Sequence, residues 1–146
     1  MRDHAENSEI GIGFSSSSVP LDNLPGLILA SWGYHGDDGY FYEQKGGQGW
    51  GPKFGASDVV GCCISFQESL IFYTKNGKCL DAAFKRLTFK TPNQPEQNDI
   101  YPTIRIRSNG ERVHVNFGKE PFVFDIVKWM EMKSLAGSSD RCVSIN

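Results

Sequence analysis

Two neighbouring apolar runs decide the fold of this chain: DVVGCCISF at Asp58–Phe66 and LIFYTKNG at Leu70–Gly77. Both are rich in β-branched and aromatic residues, and only Gln67–Ser69 separates them, which predicts two antiparallel strands of a hairpin. The dipeptide Asn76-Gly77 tolerates positive φ at both positions and predicts a second tight turn. We expect this hairpin to be the centre of the domain.

Alternation along the first run assigns its side chains to two faces of a strand. One face is apolar and is expected to lie in the core: Val60, Cys62, Ile64 and Phe66. The opposite face is small and less apolar: Val59, Gly61, Cys63 and Ser65. Small side chains on that face predict that another layer or a loop lies close above it.

The remaining chain is a series of short apolar segments separated by turn residues, which is typical of an all-β sandwich. Further strands are predicted at 10–14, 27–34, 40–42, 80–87 and 100–106, with a last apolar segment at 122–126. In the first of these, Gly11 and Gly13 leave the back face bare, so that another segment can approach it closely.

Turns and loops are predicted from glycine, proline and asparagine between these segments. Ser108–Glu111 is predicted to turn the strand at 100–106 back into Val113–Phe117, which would make a second hairpin. The glycine-rich Lys45–Gly51 and the proline-containing Thr88–Asp99 are predicted loops.

At 146 residues the chain is long enough for one self-sufficient core. We predict a polar lead at 1–9, a β-sandwich domain at 10–130 and a flexible tail at 131–146, because the sequence becomes increasingly polar after Trp129.

Charge and composition exclude several classes of partner and location. The net charge is −2 and the basic residues are scattered, which argues against a nucleic-acid or anionic membrane surface. No run reaches the length of a membrane span, and the first nine residues lack the apolar core of a signal peptide. The four cysteines show no CxxC spacing, so we interpret them as reduced, mostly buried thiols of an intracellular protein.

Three candidate constellations are weighed against simpler interpretations. Asp37-Asp38 could begin a calcium loop, but two acids are too few ligands, and a turn held by side-chain to backbone hydrogen bonds is preferred. Cys62 with a histidine could form a hydrolase site, but a mid-strand cysteine on the core face is badly placed for attack. A sugar-binding platform is the third alternative, on these aromatic residues: Trp32, Tyr34, Tyr40 and Trp50.

Several motifs follow one another in the order of the SPRY domain: SWGYHGDDG (31–39), WGPKFGASDVVGCCISF (50–66), FYTKNGKCL (72–80), IYPTI (100–104) and VNFGKEPFVFDI (115–126). Over Ile10–Met130 the chain most resembles SPRY domains of the Ran-binding protein M type. The resemblance implies a bent antiparallel β-sandwich of the concanavalin-like jelly-roll type, with no enzymatic activity, no cofactor and no metal. It also implies an adaptor or scaffold role near the CTLH (in yeast, GID) ubiquitin ligase, in the cytoplasm with the nucleus as an alternative.

In SPRY domains that bind peptides, loops at one side of the sandwich form the pocket. By position in the family pattern, the residues expected to bind a short peptide segment of a partner protein are Leu24, Pro25, Leu27, Arg105, Arg107, Ser108 and Asn109. Leu27 stands where close relatives often have Trp, which implies an altered anchor. The alternative interpretation is that these segments are solvated connections.

SPRY domains usually carry one or more strands before the segment that resembles Ile10–Phe14. The chain is therefore expected to be truncated at its N-terminus, with Ile10–Phe14 at the edge of its sheet as a template for strand addition. Two alternatives to peptide binding follow: a structural fragment that needs a partner strand to fold, and a lectin-like carbohydrate-binding domain.

Overall fold

The computed structural model describes residues 9–17, 22–27, 31–43, 46–65, 70–80, 100–107, 109–125, 128 and 141–145. Ten strands lie in these residues: β1 (Ile10–Ser16), β2 (Ser31–His35), β3 (Tyr40–Glu43), β4 (Gly46–Trp50), β5 (Val60–Ser65), β6 (Leu70–Lys75), β7 (Lys78–Cys79), β8 (Ile100–Ile106), β9 (Val115–Asn116) and β10 (Arg141–Ile145). They form two five-stranded antiparallel sheets, sheet A in the order β4-β3-β2-β1-β8 and sheet B in the order β7-β6-β5-β10-β9.

Each sheet belongs to one of two compact units. The first unit comprises residues 1–56 and 90–112 and contains sheet A, whereas the second comprises 57–89 and 113–146 and contains sheet B. No helix in the described ranges is both long and apolar enough to cross a membrane.

The central hairpin is confirmed as β5 and β6, which pair from Val60 with Lys75 to Ser65 with Leu70. Val60, Cys62 and Ile64 are almost completely buried, as predicted for the core face. The opposite face is also covered, because Phe72 of β6 packs edge-on against Phe124 at a centroid distance of 5.9 Å. Phe66 lies outside the described residues.

The predicted Asn76-Gly77 turn is confirmed by φ angles of 50° at Asn76 and 82° at Gly77. The Asn76 side chain also joins the turn to the start of β5: its Oδ1 accepts the Val59 amide at 2.8 Å, and its Nδ2 donates to Asp58 Oδ1 at 3.0 Å. Asn76 therefore supplies both the left-handed backbone and the link between the two strands.

We expect Asn76→Ala to lower the unfolding free energy by about 2 kcal/mol, because it loses these hydrogen bonds and places a Cβ without polar compensation at positive φ. Asn76→Gly is the matched control, since it loses the bonds but keeps the backbone freedom. Chemical denaturation should show a smaller loss for the glycine variant. Equal losses in the two variants would show that the backbone angle contributes nothing.

Sheet A buries its large apolar side chains on one face: Ile10, Ile12, Phe14, Trp32, Tyr34 and Phe41. Tyr34 is at the centre of this cluster, with ring centroids 5.0 Å from Phe41 and 4.8 Å from Phe54. The opposite face of β1 and β2 carries glycine, serine and histidine, and it positions the candidate site.

The prediction that Ile10–Phe14 is an edge strand is wrong. β1 pairs with β2 on one side and with β8 on the other, the latter over all seven residues from Ile10 with Ile106 to Ser16 with Ile100. The partner strand comes from the second half of the chain, so its pairing could not be inferred from local pattern.

The predicted second hairpin is also wrong. β8 lies in sheet A beside β1, whereas β9 lies in sheet B beside β10. At the end of β9, the Asn116 side chain forms hydrogen bonds with the backbone of the following residues, in place of strand pairing. Its Oδ1 accepts the amides of Gly118 and Glu120, and its Nδ2 donates to the Glu120 carbonyl. Only Val115 and Asn116 of the predicted second strand belong to a sheet.

Residues 141–145, predicted as part of a flexible tail, form β10 between β5 and β9. Val143, Ser144 and Ile145 are buried. The sequence before these residues is polar, so the short strand was not predicted. Val143 and Ile145 alternate along it and lie on the apolar face of sheet B.

The prediction of reduced thiols is wrong for Cys63, which is disulfide-bonded. In the sheet register Cys142 of β10 lies opposite Cys63. Cys62 and Cys79 are in the thiol form, the first buried and the second exposed.

Two boundaries also differ from prediction. β2 begins at Ser31, and Leu27 lies in a bend before it, not in a strand. The predicted loop at Lys45–Gly51 contains β4, which pairs with β3 through an irregularity between Tyr40 and Tyr42. Tertiary pairing therefore outweighs the low strand propensity of glycine. Most of the predicted strand at Leu80–Leu87 and the Thr88–Asp99 loop lie outside the described residues.

Candidate peptide-binding surface

The surface that gathers most of the predicted binding residues is the small-residue face of sheet A. Residues paired across an antiparallel ladder share a face, so the register defines this surface directly. Its central rows, which we call the glycine face, are Gly11, Gly13 and Ser15 of β1 with Ser31, Gly33 and His35 of β2. On the β8 side the rows continue into Tyr101, Thr103 and Arg105.

The segment Leu24–Leu27 is a tight turn that lies on the glycine face. The Leu27 amide donates to the Leu24 carbonyl at 3.2 Å, and Gly26 has a φ of +91°. Proline at the second position and glycine with positive φ at the third are the features of a type II turn. The Gly26 amide donates to Ser31 Oγ at 2.9 Å, which ties the turn to β2.

Two glycines make room for this turn. A Cβ at Gly33 would lie 2.0 Å from the Pro25 carbonyl oxygen, and a Cβ at Gly11 would lie 3.0 Å from Pro25 Cδ and 3.1 Å from Leu24 Cδ2. The predicted close approach to the bare face of β1 is therefore confirmed, and the approaching segment is the Leu24–Leu27 turn.

His35 joins the turn to the rest of the surface. Its ring is 3% exposed, and Nε2 lies 2.7 Å from the Pro25 carbonyl oxygen, to which it donates. The ring stacks on Tyr42 of β3, with centroids 4.2 Å apart and planes inclined by 25°. Burial lowers the pKa of His35 from its ordinary value of 6.5, against the opposing effects of Pro25, Asp38 and Asp37. The neutral ring is thereby favoured.

A histidine with a lowered folded-state pKa makes stability depend on pH. Below pH 6.5 the unfolded chain takes up a proton at His35 more readily than the folded chain, so the unfolding free energy should fall as pH falls from 7.5 to 5.5. The slope from this group is at most about 1.4 kcal/mol per pH unit. Denaturation of wild type and His35→Gln at both pH values measures it: the pH-dependent loss should be smaller in the variant. An equal loss in both proteins would assign the effect to other groups.

The Gly36–Gly39 turn lies next to His35. Asp38 Oδ1 accepts the Tyr40 amide at 2.8 Å, Asp38 Oδ2 accepts the Tyr42 hydroxyl, and the Gly39 amide donates to the His35 carbonyl at 2.9 Å. Burial, followed by the hydrogen bond from Tyr42 to Asp38, raises the pKa of Tyr42 above its ordinary value. The prediction of a turn held by side-chain to backbone hydrogen bonds is confirmed here.

His35, Asp37 and Asp38 are also potential metal ligands, since their ligand atoms lie within 4.8 Å of one another. However, His35 Nε2 already bonds Pro25, and both Asp38 oxygens already accept protein donors. The described contacts therefore favour the turn over a calcium loop.

On the β8 side the surface is aromatic and basic. Tyr101 is 50% exposed, and Arg107 is exposed while its Nε lies 3.2 Å from Glu9 Oε2. Ser15 Oγ and Thr103 Oγ1 are hydrogen-bonded across β1 and β8. Arg105, half-buried, is the register partner of Gly11, over which Leu24 and Pro25 lie.

Residues 1–120 match the SPRY domain family. The chain belongs to the SPRY family. It is 45% identical over 122 residues to Ran-binding protein 10 of Danio rerio, an alignment that covers 83% of this chain and 19% of that protein. It is 38% identical over 127 residues to the Ran-binding protein M homolog of Arabidopsis thaliana, covering 86% of this chain and 25% of that protein. The chain thus spans a quarter or less of the length of these relatives.

A solved human SPRY domain matches the fold with a TM-score of 0.50 and 28% identity, covering 71% of this chain and 69% of that one. The two antiparallel sheets and this neighbour confirm the all-β prediction and agree with a SPRY β-sandwich. The resemblance to Ran-binding protein M is confirmed by the homologues.

The SPRY domain brings together part of the predicted site. Leu24 and Pro25 lie over the same face of sheet A as Arg105, and Leu27 closes the turn that contains them. Leu24 and Pro25 are buried, so their side chains anchor the turn, whereas Leu27 is half-buried. Their contact with a partner stays a prediction. Arg107 and Asn109 are exposed beyond the end of β8, and Ser108 lies outside the described residues.

Sequence reasoning missed four residues of this SPRY surface: Gly33, His35, Tyr42 and Tyr101. Gly33 could have been found from the sequence, because glycine within a strand indicates close approach of another segment, as it did at Gly11. The other three depend on cross-strand register, which local pattern did not reveal.

The SPRY fold buries two of the aromatics proposed as a sugar platform, Trp32 and Tyr34. Trp32 Nε1 donates to Glu43 Oε1 at 3.1 Å, so its polar edge is used inside the domain. Tyr40 is 47% exposed, and one exposed ring among these three does not make a stacking platform.

Proposed function

We propose that this SPRY domain binds a short peptide segment of a partner protein across the outer side of the Leu24–Leu27 turn and β8 of sheet A. Its membership of the SPRY family supports a protein-interaction module. The proposal of peptide binding at this surface rests on one observation: the Leu24–Leu27 turn lies beside Arg105, so that a turn and a basic, aromatic strand share one surface.

The side chains on the β8 part of this surface are suited to protein recognition. Tyrosine and arginine are over-represented among residues that dominate binding energy, because they combine large contact area with directed hydrogen bonds. Tyr101 offers an exposed ring. Arg107 is exposed in an ion pair with Glu9, and such pairs contribute so little to stability that a peptide carboxylate can replace Glu9 at small cost.

The proposal includes the absence of catalysis. Burial raises the pKa of the Cys62 thiol well above its ordinary value, with a hydrogen bond to Tyr73 acting in the opposite direction. A fully buried neutral thiol is a poor nucleophile. The buried thiol therefore agrees with a binding role rather than a catalytic one. We further propose that the domain belongs to an adaptor or scaffold protein near ubiquitin ligation, in the cytoplasm or nucleus.

The proposal is tested by selecting peptides from a random dodecamer phage library against the chain and measuring their affinity by fluorescence anisotropy. Tyr101→Ala should weaken the selected peptide about tenfold or more, because such anchors are worth more than about 1.4 kcal/mol. Phe117→Ala is the matched control, since Phe117 is an exposed aromatic of sheet B's unit. Selection of no peptide, or equal losses in both variants, would contradict this surface.

A further inference from the structure

We propose that His35 is a positioning residue of this surface: its Nε2–H donor fixes the Leu24–Leu27 turn in the orientation that a bound peptide requires. The inference rests on the proposed peptide-binding function and adds the residue on which its geometry depends. His35 is 3% exposed, so it acts through the turn and not by touching the peptide.

His35 is the point at which two surface turns are joined. Its ring holds Pro25 of the Leu24–Leu27 turn through the 2.7 Å bond from Nε2, while its own carbonyl accepts the Gly39 amide at 2.9 Å. The next residue, Gly36, donates its amide to the Ile10 carbonyl at 2.9 Å. The two turns and β1 are therefore connected through one short segment of β2.

The donor matters more than the ring volume. Pro25 is among the most completely buried residues, and losing a partner of a buried polar group costs more than the bond itself contributes. A carbonyl oxygen can only accept, so Nε2 must carry the proton. Packing of the ring is supplied separately by the stack on Tyr42 at 4.2 Å.

The charged and titratable neighbours of the ring come from three elements. Asp37 and Asp38 belong to the Gly36–Gly39 turn, Tyr42 to β3, and Arg105 to β8 across Gly11. Tyr42 donates its hydroxyl to Asp38, so the ring that stacks on His35 is itself fixed. The orientation of His35 is thus determined on both sides, as a positioning role requires.

Two substitutions separate the donor from the ring. His35→Phe keeps a flat ring that can stack on Tyr42 but has no donor for Pro25. His35→Gln loses the ring but keeps an amide N–H. A purely structural role of the ring predicts that Phe is the milder change, whereas a positioning role predicts that Gln is the milder change for peptide binding.

The experiment measures both variants with the phage-selected dodecamer as probe, below their melting temperatures, together with amide exchange at Gly26 and Leu27. We expect His35→Phe to bind at least tenfold more weakly and to exchange the Leu27 amide at least tenfold faster, and His35→Gln to stay within about threefold of wild type. Binding by His35→Phe equal to or tighter than that of His35→Gln would overturn the inference.

Two further readouts keep the test decisive. If no peptide is selected, the proposed function fails. Independently of that result, an unchanged exchange rate of the Leu27 amide in His35→Phe would overturn the inference about His35. If His35→Phe does not fold, the imidazole ¹⁵N shifts of wild type decide: a proton on Nε2 supports the inference, and a proton on Nδ1 overturns it, because that tautomer cannot donate to Pro25.

Discussion

Val143→Asp should unfold the domain or lower its unfolding free energy by at least about 4 kcal/mol. Val143 is 5% exposed in β10, opposite Cys62 of β5. The change removes about 1.5 to 3 kcal/mol of apolar burial. It also places a carboxylate among apolar side chains, which adds several kcal/mol unless the group becomes protonated.

The measurement is thermal unfolding followed by circular dichroism, where a loss of this size lowers Tm by roughly 10 °C or more. Val123→Asp is the matched control, because Val123 is 60% exposed in the same unit and the same substitution there should change stability by less than about 0.5 kcal/mol. Similar melting of the two variants would mean that residues 141–145 are a frayed tail after all.

Gly33→Ala should be a strongly destabilising substitution in sheet A. The new Cβ would lie 2.0 Å from the carbonyl oxygen and 2.6 Å from the carbonyl carbon of Pro25. These are backbone atoms of a turn that is held at Ser31 and His35, so they cannot move aside without breaking those bonds. We expect a loss of about 3 kcal/mol, at the upper end of overpacking costs, with at least a tenfold loss of peptide affinity.

The control for this substitution is Gly110→Asn. Gly110 has a φ of +84° and nothing within 4 Å of a Cβ, and asparagine tolerates that backbone conformation. Denaturation should therefore show a loss of less than about 1 kcal/mol for the control. If Gly33→Ala were equally mild, the Leu24–Leu27 turn would not be seated on β2 as described.

The sequence by itself determined the features that depend on neighbours along the chain. Alternation of Val60, Cys62 and Ile64 identified β5 and its buried face, and Asn76-Gly77 identified the turn after β6 because few dipeptides accept positive φ twice. The bare face at Gly11 predicted a close approach, since glycine leaves space whatever occupies it. The ordered motifs identified the SPRY family.

Only the tertiary structure decided which strands meet. β8 pairs with β1, and β10 enters between β5 and β9, although neither partner is adjacent in sequence. Any strand with unpaired backbone groups can in principle accept any other, so local pattern leaves the choice open. Burial of the apolar faces selects the strand partners. It also sets the register, which places His35 beneath Pro25 and Arg105 beside Gly11.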